Sequence, residues 1–161
     1  MKIRSACQKD AQQLVSIYAP YVKNTAITFE YEVPSIKDFE KRINTTLKKF
    51  PYLIAEEEGI IQGYAYASTY YDRSAYDWTA ELSVYVKEDA RKKQVGSQLY
   101  DALEAALQKA GFVNLLACIT LSNEASLAFH KKRGYDQVAH FKKIGYKFDK
   151  WYDIVWLQKR L

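Results

Sequence analysis

The hydrophobic period of this chain changes near Pro51, and that change limits the fold more than any other feature. Before it, Leu14, Ile17 and Tyr18 recur at helical spacing within 8–22, and Ser35 stands as an N-cap ahead of a second helix over 37–47. After it, YLIAEEE (52–58), a turn at Gly59 and IIQGYAYAS (60–68) read as a hairpin, and WTAELSVYV (78–86) continues in β-branched and aromatic residues. Helix and strand then alternate. An amphipathic helix over 96–110 is stopped by Gly111, and a buried strand NLLACIT follows at 114–120. A short helix over 122–135 ends at Gly134, and two last strands occupy about 137–146 and 151–159. With an opening strand at 2–6, the order is β-α-α-β-β-β-α-β-α-β-β. A hairpin run followed by β-α-β-α-β predicts an α/β (α+β) fold, a mixed sheet covered by helices.

At 161 residues the chain suits one domain, 1–161, with one hydrophobic core. Cys7 and Cys118 lie far apart in no metal spacing, and Cys118, inside LLACIT, reads as a small core residue. The net charge of +5 fits an anionic cofactor, nucleic acid, an acidic surface or mere solubility, but no helix face is basic enough to argue for nucleic acid. The N-terminus lacks the apolar stretch of a signal peptide, and no apolar run is long enough to span a membrane. A cytoplasmic protein with no membrane partner is the expectation.

Three segments, in order, resemble the GNAT acetyltransferase superfamily. The first is SVYV leading through KEDARKKQVGSQL into a helix. The second is NEASLAFHKKRGY, similar to the superfamily pattern N-x-x-A/S-x-x-x-Y/H-x-x-x-G-F/Y, and the third is the aromatic tail IGYKFDKWYDIVWLQKRL. With AYDWTAELSVYV they look most like the phosphinothricin and methionine-sulfoximine N-acetyltransferase branch, and the resemblance runs over essentially the whole chain. It implies a GNAT fold, with a mostly antiparallel sheet of about seven strands flanked by about four helices. It also implies acetyl-CoA as co-substrate and a small amino-acid-like amine as acceptor.

The coenzyme's pyrophosphate needs N–H donors and positive charge, which a loop entering a helix N-terminus supplies. Arg91, Lys92, Lys93, Gln94, Val95, Gly96 and Ser97 make that entry. The superfamily pattern there is Q/R-x-x-G-x-G/A, and Gln94 departs from its usual Gly. If the position requires a left-handed backbone, the cost is roughly 1–2 kcal/mol. The resemblance assigns the backbone of Val84, Tyr85 and Val86 to the pantetheine arm, together with Asn123 and Ser126. Asn123 is equally explained as a helix N-cap.

An amine must lose its proton before it attacks a thioester, so a base beside it helps. Glu81 is an ionisable residue among apolar neighbours, and the branch resemblance places the base there; partial burial would raise its pKa. The branch often has His or Ser next, where this chain has Leu82. His130 stands where many members have a Tyr that acts as acid, and it reads equally as a helix histidine packed at the core edge. Tyr135 is the substitute for that role. No metal motif and no Ser-His-Asp set is present, which favours direct transfer without an acyl-enzyme.

For the acceptor pocket the candidates are Phe29, Arg73, Tyr76 and Trp78, with Arg73 suited to a carboxylate. Tyr146, Phe148 and Trp151 suit a pocket mouth or a contact between copies, branch members often being homodimers. Two alternatives stay open: an N-acetyltransferase of peptides or proteins, and a catalytically impaired coenzyme A-binding regulator, which Gln94 and Leu82 keep in view.

Overall fold

The computed structural model describes residues 1–161, the side chains of 91–93 excepted. The chain opens with β1 (Lys2–Ser5), α1 (Ala11–Asn24) and α2 (Ile36–Leu47). Strands β2 (Tyr52–Glu57), β3 (Ile60–Thr69) and β4 (Thr79–Val86) follow. Then come α3 (Val95–Lys109), β5 (Asn114–Thr120), α4 (Glu124–Lys132), β6 (Asp136–Lys147) and β7 (Lys150–Arg160). The seven strands form one sheet in the order β1-β2-β3-β4-β5-β7-β6. Every neighbouring pair is antiparallel except β4–β5. This is the expected element order and the expected mixed, mostly antiparallel sheet.

The first helix starts later than its periodicity predicts, because 8–10 form a separate 3-10 turn. Asp10 causes the break. Its carboxylate accepts the Cys7 N–H at 2.8 Å and takes two hydrogen bonds from the Arg4 guanidinium at 2.9 and 2.8 Å. Ser35 caps α2 as expected, its hydroxyl accepting the Asp38 N–H at 3.0 Å.

Strand alternation sends side chains to opposite faces, and each face has its own core. On one side α3 lays Leu99, Leu103 and Leu107 over Ala65, Ala67, Ala80 and Ala117, whose small side chains let the helix lie close. On the other, Leu14, Ile17, Phe39 and Ile43 of α1 and α2 cover Ile54, Ile61 and Tyr64. Each buried Leu or Ile contributes about 1.5–3 kcal/mol. In β4 this alternation turns Ala80 and Leu82 toward α3, and Glu81, Ser83 and Tyr85 toward α1.

The sheet is continuous except at one seam. β4 pairs with β5 only at Thr79↔Asn114, Ala80↔Leu115 and Glu81↔Leu116. Beyond Glu81, β4 stays with β3 as far as Val86↔Gly63, and β5 stays with β7 as far as Thr120↔Ile154. The two strands therefore diverge. The loop after α1 reaches the gap, where the Thr120 hydroxyl donates to the Ala26 carbonyl at 2.7 Å. Cys118 corrects the sequence expectation. Its neighbours Ala117 and Ile119 face α3, which leaves Cys118 exposed on the other face, where β4 has already turned away.

Candidate active site

Glu81 sits at the last rung before β4 and β5 part. It is half-buried, and burial raises its pKa above the ordinary glutamate value. Its carboxylate has no hydrogen-bond or ion-pair partner among the described residues. A half-buried, unpaired carboxylate at neutral pH is a base waiting for a proton. Beyond it lies a slot of about 70 Å³, walled by Leu82, Val84, Tyr85, Cys118 and Ile119. The Cys118 thiol is pushed up to about 11, by desolvation first and then by the charge of Glu81.

The slot opens into a groove of about 400 Å³ between the end of β4, the start of α3 and α4. Val84, Val86, Gln94, Gly96, Ser97, Asn123 and Ser126, all expected for the coenzyme, line this groove together. Tyr85 lines the slot instead, and Val95 is buried beneath the helix start. The side chains of Arg91, Lys92 and Lys93 lie outside the described residues. Gln94 has φ 57° and ψ 28°, the left-handed conformation that a Gly adopts without cost. It caps α3 without a side-chain hydrogen bond, so the first-turn amides face the groove uncapped. Beyond Glu81 the β5-facing edge of β4 has no strand partner, and an extended chain can bond to such an edge.

Three groove residues were not among those expected from the sequence. Tyr21 donates its hydroxyl to the Val86 carbonyl at 2.5 Å and fixes the strand end. Ile27 and Phe129 supply apolar wall. Phe129 was accessible in principle, since it lies one helical step (i+3) from Ser126 and so shares its face. Asn123 acts as the N-cap of α4, accepting the Ser126 N–H at 3.3 Å, and lines the groove as well.

His130 is buried, and both ring nitrogens are committed. A backbone carbonyl can only accept, so Nδ1 carries the proton it gives to the Ser126 carbonyl at 2.8 Å. Nε2 then accepts the Tyr100 hydroxyl at 2.7 Å. Burial lowers the imidazole pKa, which keeps the ring neutral near pH 7. Tyr135 is committed elsewhere, donating to the buried Glu104 carboxylate at 2.7 Å, with its own pKa raised by burial.

The acceptor candidates divide. Phe29 lies against Gly145 and packs near Tyr152, with ring centroids 6.3 Å apart. A Cβ at position 145 would overlap three carbons of the Phe29 ring, so only Gly fits there. Tyr76 joins an exposed aromatic cluster with Tyr70, Tyr71 and Trp156, and Arg73 lies over the Tyr71 ring at 5.5 Å. Trp156 is the register partner of Cys118, which ties that cluster to the slot. Trp78 is 57% exposed and has no ring contact with the cluster among the described residues. Tyr146, Phe148 and Trp151 are exposed on the β6–β7 hairpin.

No helix among the described residues is long and apolar enough to cross a membrane. The family model for the acetyltransferase (GNAT) domain matches residues 3–156. A phosphinothricin N-acetyltransferase of Alcaligenes faecalis is 36% identical over 161 residues, covering 99% of this chain and 82% of that protein. An L-methionine sulfoximine/L-methionine sulfone acetyltransferase of Pseudomonas aeruginosa is 29% identical, covering 99% of this chain and 94% of its own length. Among solved structures, a phosphinothricin acetyltransferase from Sinorhizobium meliloti in complex with acetyl-CoA superimposes with a TM-score of 0.95 at 31% identity, covering 99% of this chain and 88% of that one.

Proposed function

The chain belongs to the GNAT acetyltransferase family and is an N-acetyltransferase, and from that premise we propose that it moves acetyl from acetyl-CoA directly to the amine of a small amino-acid-like acceptor of the phosphinothricin or methionine-sulfoximine type. The observation that carries this is the unpaired Glu81 carboxylate at the mouth of the divergence between β4 and β5. The residues present fit the coenzyme. The uncapped start of α3 suits a pyrophosphate, and the unpartnered edge of β4 suits an extended arm. Bound acetyl-CoA supplies the acetyl group as an activated thioester.

Glu81 takes the proton from the acceptor ammonium, and its raised pKa makes it a stronger base than an ordinary glutamate. A backbone N–H near Val84 polarises the carbonyl, as a fixed donor at the slot. The slot of about 70 Å³ has room for a two-carbon acyl group. The charge of Glu81 reaches the Cys118 thiol, and a thiol held near 11 stays protonated at neutral pH, which favours direct attack. Neutral His130 orders Ser126 and Tyr100 at the slot, and its lowered pKa argues against a role as proton donor. Asn123 and Ser126 hold the coenzyme arm, while Phe29, Arg73 and Tyr76 border the acceptor side. The exposed aromatics of the β6–β7 hairpin support a homodimer, which sedimentation tests.

Purified protein mixed with acetyl-CoA and a panel of free amino acids and analogues tests the function through thiol release. Acceptor-dependent release is expected, lost in Glu81→Gln and kept in Cys118→Ala. Coenzyme binding with no turnover on any amine would favour the regulator, and no coenzyme binding at all would overturn the proposal.

A further inference from the structure

A second cavity, of about 480 Å³, lies under α2 on the Glu81 face of the sheet. Three tyrosines form its floor. The Tyr52 and Tyr66 rings stack at 4.8 Å and 20°, and Tyr64 lies nearly parallel to Tyr66 at 6.4 Å and 8°. Tyr52 and Tyr64 are 2% and 1% exposed. Neither hydroxyl has a hydrogen-bond partner among the described residues. Neither is sealed, because the one enclosed side-chain polar atom without a partner among those residues is Arg133 Nε. Both phenolic oxygens therefore open into the cavity. Buried hydroxyls are nearly always bonded, so two that face one cavity unpaired mark a place where something else supplies acceptors.

The cavity reaches the base. Ser68, in its wall, is the register partner of Glu81, and Tyr66 is the register partner of Ser83, whose hydroxyl it meets. The formal charges around the cavity sum to zero. Arg42 is held in a two-pronged pair by Glu30 at 2.7 and 3.0 Å, and Lys41 and Asp38 add one charge of each sign to the wall.

We propose that this cavity is the chamber for the acceptor's side chain, and that the Tyr52 and Tyr64 hydroxyls select an acceptor whose side chain is apolar along its stem and ends in an uncharged group bearing acceptor oxygens. The inference rests on the transferase function proposed above and adds its specificity. With the amine at Glu81, the stem lies on the tyrosine faces and the terminal oxygens take the two phenol protons. A hydrocarbon terminus leaves both hydroxyls unpaired, and a polar site discriminates strongly against an analogue that cannot fill its hydrogen bonds. An anionic terminus enters a chamber with no net positive charge in its wall to offset its desolvation.

Calorimetry on the protein saturated with coenzyme A tests this with three probes. The side chain of methionine sulfone ends in uncharged oxygens, that of norleucine has no oxygen, and that of phosphinothricin carries an anionic phosphinate. Methionine sulfone is expected to bind at least about tenfold more tightly than either of the others. Tyr52→Phe and Tyr64→Phe keep the ring stack and each remove one donor. Each is expected to weaken methionine sulfone about tenfold and leave norleucine unchanged. Neither variant loses an internal hydrogen bond, so neither is expected to melt lower than the parent. Equal binding of methionine sulfone and norleucine, tighter binding of phosphinothricin, or no loss in either variant would overturn the inference. Thiol release from acetyl-CoA reports separately on the transferase. Hydroxyl-dependent binding of the sulfone without thiol release from any amine would sink the transferase and leave the chamber standing.

Discussion

A carboxylate that finds no cation in its own fold works against that fold. Burial raises the folded-state pKa of Glu81 above its unfolded value, so the folded protein holds that proton more tightly than the unfolded chain does. Stability therefore falls as pH rises from the unfolded value through the raised one, and the cost persists at neutral pH. Glu81→Gln is expected to melt higher than the parent at pH 7, with the gain fading below about pH 4, while turnover drops at least about 100-fold. Thermal melts across pH beside initial rates check both halves, and a lower melting point with unchanged rate would sink the assignment. In the parent, the acid limb of kcat/KM is expected above the ordinary glutamate range, since protonating Glu81 removes the base. Glu81 stood out in the sequence because a charge among β-branched residues is unusual. Tyr52 and Tyr64 did not, because a tyrosine in a strand is unremarkable until its hydroxyl is seen to lack a partner.

At the scale of single elements, two backbone positions carry the site. Gln94 holds the left-handed turn into α3, and Gln94→Gly is expected to stabilise the fold by about 1 kcal/mol by relieving that turn. It also removes a Cβ at the groove, so tighter coenzyme binding by titration is expected beside the higher melting point. Gly145 is the bed on which Phe29 lies, and Gly145→Ala pushes that ring aside. Because Phe29 lines no part of the groove and is proposed to border the acceptor, the acceptor KM is expected to rise with coenzyme affinity unchanged. A loss of coenzyme binding would show that the hairpin supports the groove as well. The elements themselves were legible, since period 3.6 and period 2 separate cleanly along the chain. The facing of Cys118 was not, because LLACIT reads as wholly buried when one strand neighbour's departure is out of sight. For His130 the sequence offered a packed histidine and an acid equally, and what the pattern did not show was the Tyr100 hydroxyl brought to its ring from another helix.

At the scale of the molecule, α3 and α1–α2 cover opposite faces of one sheet, and the sheet's pairing is shortest at the seam beside Glu81. β1 to β4 form one half and β5 to β7 the other, joined along β4–β5 by three residue pairs. Amides at the diverging ends of β4 and β5 are expected to exchange with solvent faster than those in the middle of either half, in the protein without coenzyme. Adding coenzyme A is expected to slow exchange at Val84 and Val86 first, read by hydrogen exchange with mass spectrometry or NMR. Uniform protection over both halves would mean that the seam is no weaker than the rest. The order of elements along the chain was legible from the alternation of periods, but not the insertion of β7 between β5 and β6. The extent of pairing was not, because it is set by two strands' relative direction in space and leaves no mark in either strand's own pattern.

On the proposed function, the half-open seam also gives the coenzyme a second employment, as a tenant that keeps the building standing. A molecule bound only by the folded form lengthens the life of that form in proportion to its own supply. On that proposed function, the survival of this protein against proteolysis is coupled to the abundance of its acetyl donor, so that a cell short of the donor is expected to keep fewer copies of the protein that draws on it.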